Sequence, residues 1–289
     1  MRPSAAFGLP PDVRGTVCTV GTFDGVHRGH LAVIRAAIDT GLAPTAITFD
    51  PHPRVALGNR VEMISTLERR LELLAEAGVE ATLVVSFTPE LQQLEPEEFC
   101  ERYLLGIGAE AVAAGADFRF GRRRRGDLEL LEQRGLRVLP VDVVEGVSST
   151  GIRAALAAGD VATAATLLGR PYEVDGVVVR GDQRGGTLGY PTANIALDAS
   201  LIWPGDGVYA GFALDHRAAV SVGTNPHYGG TERRVEPFLL DFAGDLYGTR
   251  LVIQLWQRLR DQAVFASEEE LVAQIGRDVE ATRAATRPV

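Results

Sequence analysis

The first half of the chain alternates short apolar runs with stretches in which apolar residues recur every three or four positions. The runs predict buried strands, and the three-to-four spacing predicts amphipathic helices. The predicted strands are residues 17–20, 45–49, 81–87, 111–114 and 137–144, and the predicted helices are residues 31–38, 66–77, 96–105 and 127–133. Strands that alternate with helices predict a parallel sheet covered on both faces, with ligands at the carboxyl ends of its strands.

A boundary is predicted near the middle of the chain. Alanine-rich helical sequence over residues 152–168, broken at Gly159 and Asp160, stops at Gly169 and Pro171. Glycine and proline at this position end a helix and favour an exposed connection. We therefore predict two domains, residues 1–168 and residues 169–289.

Beyond that boundary the pattern changes to short β-rich runs separated by turn residues. These runs are residues 174–179, 207–214, 218–222, 235–242 and 251–257. Such spacing predicts a small antiparallel barrel. A closing helix is expected over residues 268–284, where Ser267 followed by Glu270 has the spacing of a capping box. The predicted fold class is α/β plus β.

Composition narrows the class of protein. The 289 residues are enough for one large domain or two ordinary ones, and 46% hydrophobic with 23% charged residues is a globular profile. The net charge of −9 disfavours nonspecific binding to nucleic acid or to a membrane surface. We expect neither an export signal nor a membrane span, since the sequence has no basic-plus-apolar leader and no apolar run of about 20 residues. Cys18 and Cys100 lie in apolar surroundings, which favours a reducing cytoplasm over a disulfide framework.

The chain contains no lysine, so all 29 basic residues are arginine. This excludes the lysine of a P-loop and any lysine Schiff base. Phosphate groups must therefore be bound by arginine, histidine, backbone N–H groups, hydroxyls or a metal ion.

The densest motif is residues 17–30, VCTVGTFDGVHRGH. It predicts a strand, a tight turn and a helix N-terminus, with His27 and His30 on the first helical turn. Residues three apart share a helix face, and N–H groups at a helix start attract anions, so both imidazoles could bind one polyphosphate. A capping or solvated role for the histidines is the alternative. Zinc binding is less well supported, because zinc usually takes three or four ligands.

Two further loops are predicted near the same sheet edge. Residues 117–121, DFRFG, follow the fourth predicted strand and run into four consecutive arginines, for which a solvated loop is the favoured interpretation. Residues 148–153, SSTGIR, precede an alanine-rich helix. Hydroxyls at a helix start usually act as caps. With Arg153 they could also bind phosphate, because arginine supplies paired donors.

A second motif covers residues 180–194, RGDQRGGTLGYPTAN. Its glycines allow backbone N–H groups to approach a phosphate closely. Thr192 and Asn194, two apart in an extended segment, offer neutral oxygens of the kind that Mg²⁺ prefers. A glycine-rich hairpin without a ligand is the alternative.

Together these motifs resemble a known family. GTFDGVHRGH is similar to the G-x-F-D-x-x-H-x-G-H signature of nucleotidyltransferases that move an adenylyl or cytidylyl group. The continuation AITFDPHPR, residues 46–54, is similar to the prokaryotic bifunctional riboflavin kinase/FAD synthetase family. The 180–194 stretch resembles the G-D-x-R-G-x-x-L-G-x-P-T-A-N motif of riboflavin kinases, and Glu236 matches the glutamate of their V-E-x-x-x-x-D-F pattern.

The resemblance implies a Rossmann-like FMN adenylyltransferase domain followed by a barrel-shaped riboflavin kinase domain. The substrates implied are riboflavin, FMN and ATP, with Mg²⁺ as cofactor, in a cytoplasmic monomer or weak homo-oligomer that binds neither nucleic acid nor membranes. The implied catalytic residues are His27, His30 and Glu236, the last as the base. The implied ATP-binding residues are Gly21, Phe23, Asp24, His27, Gly29, His30, Ser149, Thr150, Arg153, Gly181, Arg184, Gly189 and Pro191. The implied flavin-binding residues are Asp117, Phe120 and His52, and the implied metal ligands are Thr192 and Asn194.

The sequence is also compatible with three other interpretations. Gly146 and Gly151 stand where the family often has arginines, so one alternative is a kinase with a nonproductive N-terminal nucleotide-binding domain. A nonenzymatic flavin-binding protein and a cytidylyltransferase are the others.

Overall fold

The computed structural model describes residues 15–181, 184–224 and 233–289, without the side chains of Arg184 and Thr187. The described chain divides into two compact units. The first contains the described residues up to Val61 together with Leu67–Val147, and the second contains Glu62–Thr66 and Ser148–Val289. Among these described residues, no helix is long and apolar enough to cross a membrane.

The first unit is an α/β layer structure. Its strands are β1 (Thr16–Val20), β2 (Ala43–Asp50), β3 (Ala81–Ser86), β4 (Ala109–Gly115) and β5 (Arg137–Val141). Its helices are α1 (Arg28–Ile38), α2 (Pro53–Ala56), α3 (Leu67–Glu76), α4 (Pro89–Gln92), α5 (Pro96–Phe99) and α6 (Leu128–Gln133). Helix α5 continues into π-helical Cys100–Leu104 and 3₁₀ Leu105–Ile107, and a further 3₁₀ turn spans Arg122–Arg124.

The five strands form one parallel sheet in the order β3-β2-β1-β4-β5. The central strand is buried on both sides, since Val17 and Cys18 point to opposite faces and are both fully buried. Val17 packs with Ala37 of α1 on one face, and Cys18 packs with Phe99 and Leu104 on the other. Such two-sided burial is typical of parallel sheets. The predicted Rossmann-like sheet is therefore confirmed.

The second unit is built around a barrel. Its strands are β6 (Tyr172–Val179), β7 (Asn194–Leu197), β8 (Gly207–Ala213), β9 (His216–Gly223), β10 (Arg234–Leu239) and β11 (Arg250–Arg260). They close in the order β10-β7-β6-β11-β8-β9, and every neighbouring pair is antiparallel. Its helices are α7 (Ser149–Ala157), α8 (Val161–Leu168), α9 (Arg184–Thr187) and α10 (Glu268–Ala284). The predicted antiparallel barrel with a closing helix is confirmed.

Helix α10 begins and ends where the sequence predicts. Ser267 Oγ accepts a hydrogen bond from Glu270 N at 3.3 Å, and the Glu270 carboxylate accepts one from Ala266 N at 3.1 Å. This reciprocal arrangement satisfies two N–H groups at the helix start, as in a capping box.

Three features of the second unit lie outside the sequence predictions. Strand β7 and helix α9 are short and carry no periodic signal. The segment Glu62–Thr66 joins this unit, because Met63 N donates to Ser200 O and Met63 O accepts from Ile202 N. Helices α7 and α8 pack into the barrel core. The packing unit thus begins before residue 169, while the boundary between the catalytic domains stays a prediction.

Candidate active sites

The turn between β1 and α1 is strained and buried. Phe23 and Val26 adopt positive φ values of 48° and 40°, on either side of Gly25 at 76°. A non-glycine residue in this region costs about 1–3 kcal/mol and persists only where its surroundings enforce it. Both side chains are buried in a core cluster with Ile34 of α1. Strained backbone held in this way often marks a functional turn.

The two histidines lie side by side at the start of α1. His27 is the N-cap, and its Nδ1 accepts a hydrogen bond from His30 N at 3.4 Å. The two imidazole rings stack with centroids 3.7 Å apart and an interplanar angle of 13°. Phe23 contacts the His30 ring edge-on at 5.1 Å. The two imidazoles lie together as predicted, but His27 is the N-cap and not a residue of the first helical turn, so it also has the capping role given as the alternative.

The glycines of this motif leave room for the aromatic rings. A Cβ on Gly21 would lie 3.2 Å from the Phe23 ring, and a Cβ on Gly29 would lie 3.2 Å from the His27 ring. Asp24, in the same turn, is fully buried. Gly21 N donates to Ile47 O at 3.0 Å, so the turn starts as a continuation of the β1–β2 pairing.

Other predicted residues follow neighbouring strands of the same sheet. His52 comes after β2, and its Nδ1 accepts from Arg54 N at 3.1 Å as the cap of α2. Asp117 comes after β4 and is exposed. Because β1 lies between β2 and β4, these residues stand at the carboxyl ends of three adjacent strands, where parallel sheets bind ligands.

Phe120 is more buried than a ligand-stacking ring would need to be. It packs on Phe99 at 5.6 Å and stacks on Phe118 at 5.5 Å with an interplanar angle of 16°. Phe118 is the less buried ring of this pair. In the adjoining arginine run, Arg122 Nη1 pairs with Glu95 Oε1 at 3.0 Å and Arg125 Nη2 pairs with Glu95 Oε2, so both ends of the run are held by one carboxylate.

Ser149, Thr150 and Arg153 lie on the first two turns of α7, in the second unit. Ser148 is the N-cap, with its hydroxyl accepting from Gly151 N at 3.1 Å, which confirms a capping role for one hydroxyl of this cluster. Arg153 Nε donates to Glu62 O at 2.6 Å. ATP binding by these residues stays a prediction from the resemblance.

The glycine-rich segment packs tightly against its predicted metal ligands. A Cβ on Gly181 would overlap the Asn194 amide, and a Cβ on Gly185 would overlap Tyr190 O and lie 3.3 Å from Thr192 Oγ1. Asn194 is 9% exposed, and its Oδ1 is shielded from solvent without a hydrogen-bond partner among the described residues. A buried unpaired oxygen is costly, which favours a ligand that binds there.

The other predicted binding residues of this segment are exposed to solvent or have side chains that the structure does not describe. Gly189 has a φ of 82° and open space where a side chain would stand, and Pro191 and Thr192 are exposed. The Arg184 side chain lies outside the described part of the structure.

Glu236 faces away from the barrel core, next to Asn194. Val235 pairs with Ile195 across β10 and β7, and both side chains lie in the core. Ala193 N donates to Pro237 O at 3.0 Å, so the register places Glu236 opposite Asn194 on the other face. Opposed residues of an antiparallel pair have Cβ atoms about 4.5–5.5 Å apart. A carboxylate and the glycine-rich segment therefore meet on one surface.

Aromatic contacts that the sequence patterns do not predict complete this surface. Tyr190 packs edge-on against Phe238 at 5.4 Å, two residues beyond Glu236 on the same strand. The Arg180 guanidinium lies 5.3 Å from the centre of the Tyr247 ring. The D-L-Y-G sequence at residues 245–248 was the available signal for Tyr247.

The two sites offer different chemistry. The first combines a helix N-terminus with two imidazoles, which suits binding and stabilisation of phosphate oxygens. The second combines a carboxylate with two neutral oxygen donors, which suits proton acceptance beside a hard cation. The described residues contain no group of three His, Cys, Asp or Glu that could hold a metal ion.

Two family models match the chain in succession. The FAD synthetase model matches residues 9–155, and the riboflavin kinase model matches residues 168–286. The first match contains the histidine motif and the second contains the glycine-rich segment with Glu236.

Three curated relatives, each a bifunctional riboflavin kinase/FMN adenylyltransferase, match nearly the whole chain. The Listeria monocytogenes protein is 36% identical over 93% of this chain and 91% of its own length. The Pseudomonas fluorescens protein is 37% identical, covering 97% and 96%, and the Escherichia coli K12 protein is 37% identical, covering 91% and 90%.

A solved structure also matches along the chain. It is a Streptococcus pneumoniae crystal structure described as a macrolide-efflux protein, with 33% identity, a TM-score of 0.83 and coverage of 94% of this chain and 96% of its own. The two chains share their fold, although that description names a different role.

Proposed function

The chain belongs to the bifunctional riboflavin kinase/FMN adenylyltransferase family, and we propose which of its side chains carry the two reactions. The protein phosphorylates riboflavin to FMN and transfers an adenylyl group from ATP to FMN, giving FAD and pyrophosphate. The FAD synthetase match covers the N-terminal half and the riboflavin kinase match the C-terminal half. We assign adenylyl transfer to residues 1–168 and the kinase to residues 169–289.

The stacked pair of His27 and His30 is the observation that carries the adenylyl-transfer assignment. Both imidazoles sit at the start of α1, where the helix dipole and N–H groups already favour an anion. They donate hydrogen bonds to the ATP phosphates as negative charge builds on the leaving pyrophosphate. Positioning and charge stabilisation dominate such reactions, so no covalent intermediate is needed.

Further residues are assigned to ATP and to the flavin in adenylyl transfer. Gly21, Phe23, Asp24 and Gly29 shape the turn that binds ATP, and Ser149, Thr150 and Arg153 are further ATP-binding residues by resemblance. His52, Asp117 and Phe120 are flavin-binding residues by resemblance, and they follow β2 and β4, the neighbours of β1 in the sheet.

In the kinase, Glu236 accepts the proton of the ribityl 5′-hydroxyl as that oxygen attacks the γ-phosphorus of ATP. Its place opposite Asn194 puts the base beside the proposed phosphate-binding segment. Gly181, Arg184, Gly189 and Pro191 belong to that segment, in which glycine allows the backbone to approach the phosphates.

Thr192 and Asn194 fit a divalent cation, which we assign as Mg²⁺. The shielded Asn194 Oδ1 lacks a hydrogen-bond partner among the residues described, and the close approach of Gly181 leaves it a narrow cradle. Mg²⁺ prefers oxygen ligands and keeps several waters, so two neutral protein oxygens are sufficient. When bound, the cation neutralises charge on the transferred phosphoryl group.

The cellular setting is a further part of the proposal. The net charge of −9 and the two buried free cysteines support a cytoplasmic protein that acts on riboflavin, FMN and ATP rather than on nucleic acid. A monomer or weak homo-oligomer is the proposed assembly.

A chromatographic product assay with two variants tests the assignment. Glu236→Ala is expected to lower FMN formation from riboflavin and ATP by about 10²–10⁴-fold, the range for loss of a general base, while FMN is still converted to FAD. His27→Ala with His30→Ala is expected to stop FAD formation and spare the kinase. In each variant, the activity that is retained shows that the protein is folded.

Two outcomes contradict parts of this proposal. If the double histidine variant makes FAD at the wild-type rate, the His27–His30 site is wrong. If the wild-type protein accumulates FMN and makes no FAD, it is a kinase with a nonproductive N-terminal half, the candidate that Gly146 and Gly151 favour.

A further inference from the structure

Arg70 is the largest fully buried side chain that neither proposed site uses. It lies on α3 and is 2% exposed, although arginine is almost never fully buried unless it is paired. The sequence offers no reason for this burial, because Arg69 and Arg70 are adjacent and equally polar. Their partners differ: Arg69 keeps 12% of its side chain exposed and pairs with the carboxylates of Glu72 and Glu76.

The Arg70 guanidinium is hydrogen-bonded at the carboxyl ends of the neighbouring strands β1 and β2. Its Nη1 donates to Thr22 O at 3.1 Å and to Phe49 O at 3.1 Å, and lies 3.3 Å from Thr48 Oγ1. The Thr48 hydroxyl in turn donates to Thr22 O at 3.1 Å. Thr22 stands directly before the strained turn of the histidine motif, and Phe49 stands three residues before His52.

Charge explains why an arginine is tolerated there. Burial lowers the pKa of Arg70, and the negative charges of Asp24 and Asp50 act in the opposite direction. Asp24 belongs to the strained turn and is itself fully buried. The guanidinium therefore stabilises the turn in two ways, through the hydrogen bond to Thr22 O and through the charge of Asp24.

Stability alone is a weak reason to keep this group. Arg70 Nε is shielded from solvent and has no hydrogen-bond partner among the residues that the structure describes. Replacing a whole buried ion pair by apolar side chains is often neutral or stabilising, so a buried charge is weak evidence of a purely stabilising role. Leu73 and Leu74, which pack in the same cluster as Phe23 and Val26, already anchor α3 to the turn.

We propose that Arg70 is a positioning residue for adenylyl transfer: it fixes the carboxyl ends of β1 and β2, and thereby the turn that presents His27 and His30. Arg70 touches no substrate in this role. The inference rests on the proposed function of the histidine pair. Its consequence is a specific effect on the rate of FAD formation, because a small displacement of a catalytic group is costly.

The test compares Arg70→Met, Arg70→Lys and the neighbouring control Arg69→Met in the full-length protein. Arg70→Met is expected to lower kcat for FMN adenylylation by about tenfold to a hundredfold, with a smaller change in the KM for ATP. Arg70→Lys is expected to recover most of this loss, because the three oxygens surround one nitrogen and a lysine ammonium group carries three N–H donors on its single nitrogen. Arg69→Met is expected to match the wild type.

The riboflavin kinase activity of each variant serves as the folding control. Thr48→Val provides a second approach should Arg70→Met fail to fold, since it removes one hydrogen bond to Thr22 O and is expected to lower kcat several-fold. The inference is overturned if Arg70→Met or Thr48→Val keeps the wild-type kcat, or if lysine restores nothing. The histidine double variant, run alongside, shows separately whether the underlying site is correct.

Discussion

Gly181 packs its α-carbon directly against the side-chain amide of Asn194, so that any Cβ at position 181 would overlap that amide. The contact joins the first glycine after β6 to the first residue of β7, and Val179 pairs with Asn194 in the same ladder. The absence of a side chain at residue 181 is therefore what allows the Asn194 amide to keep its position beside Glu236.

Gly181→Ala is expected to displace Asn194 and to lower kcat/KM for riboflavin phosphorylation by about tenfold to a hundredfold, since the proposed metal ligand moves. Conversion of supplied FMN to FAD should be unaffected. Gly186→Ala is the matched control, because residue 186 belongs to the same segment and has open space where a Cβ would stand. Equal kinase rates for the two variants would contradict the importance of the Gly181–Asn194 contact.

Gly29→Ala is expected to separate stability from activity at the histidine pair. The new Cβ would lie 3.2 Å from His27 Cε1 and 3.3 Å from Nδ1, so the ring must shift by a few tenths of an ångström. We expect FAD formation to fall about threefold to tenfold. The free energy of unfolding should stay the same or rise by up to about 1 kcal/mol, because alanine favours a helix over glycine.

Steady-state adenylylation and urea unfolding measure the two quantities for Gly29→Ala, and kinase activity is the internal control. An unchanged rate of FAD formation would mean that the position of the His27 ring is not critical. A matched loss of stability and activity would point to general disruption of the turn instead.

Elements with their own local signal were predictable from the sequence. Helix α10 has a capping box at Ser267 and Glu270, and its observed bounds equal the predicted ones. The break at Gly159 and Asp160 separates α7 from α8 because Asp160 caps the second helix, its Oδ1 accepting from Thr163 N at 2.9 Å. In each case a few neighbouring residues determine the structure.

Contacts between distant residues were not predictable in this way. Strand β7 has four residues and exists because it pairs with β6 and β10. The Met63 backbone pairs with residues near position 201, which no local pattern reveals. The burial of Arg70, and not of Arg69, depends on carbonyl groups 21 and 48 residues away along the chain.

The same distinction between local and long-range contacts applies to the residues of the candidate sites. The proximity of His27 and His30 agrees with their three-residue spacing at the helix start, although His27 is the N-cap and lies before the first turn. The facing of Glu236 could not be derived from its imperfectly alternating strand, and it became clear only from the pairing of Val235 with Ile195. The stacking of Phe118 on Phe120 could not be predicted either, because alternation alone does not say which of the two rings stays exposed.

Cys18 makes the stability of the first unit depend on pH in the alkaline range. It is fully buried in β1, and burial raises the pKa of its thiol from 9.0 to about 12. The unfolded chain therefore ionises this thiol from about pH 9, whereas the folded protein keeps it neutral until about pH 12. Because the folded pKa is the higher one, this contribution is fully present below pH 9 and is lost as the pH rises toward 12.

Cys18→Ala is expected to flatten the alkaline part of the stability profile. Between pH 8 and pH 10.5 the wild-type protein should lose about 2 kcal/mol more unfolding free energy than the variant, since only the wild type has this thiol to ionise on unfolding. The difference is measured by urea unfolding at both pH values, monitored by a spectroscopic signal that reports on the first unit. Native wild-type protein should also resist thiol labelling at pH 8, because the unreactive neutral form predominates. Parallel pH profiles for the two proteins would show that Cys18 ionises equally in the folded and unfolded states.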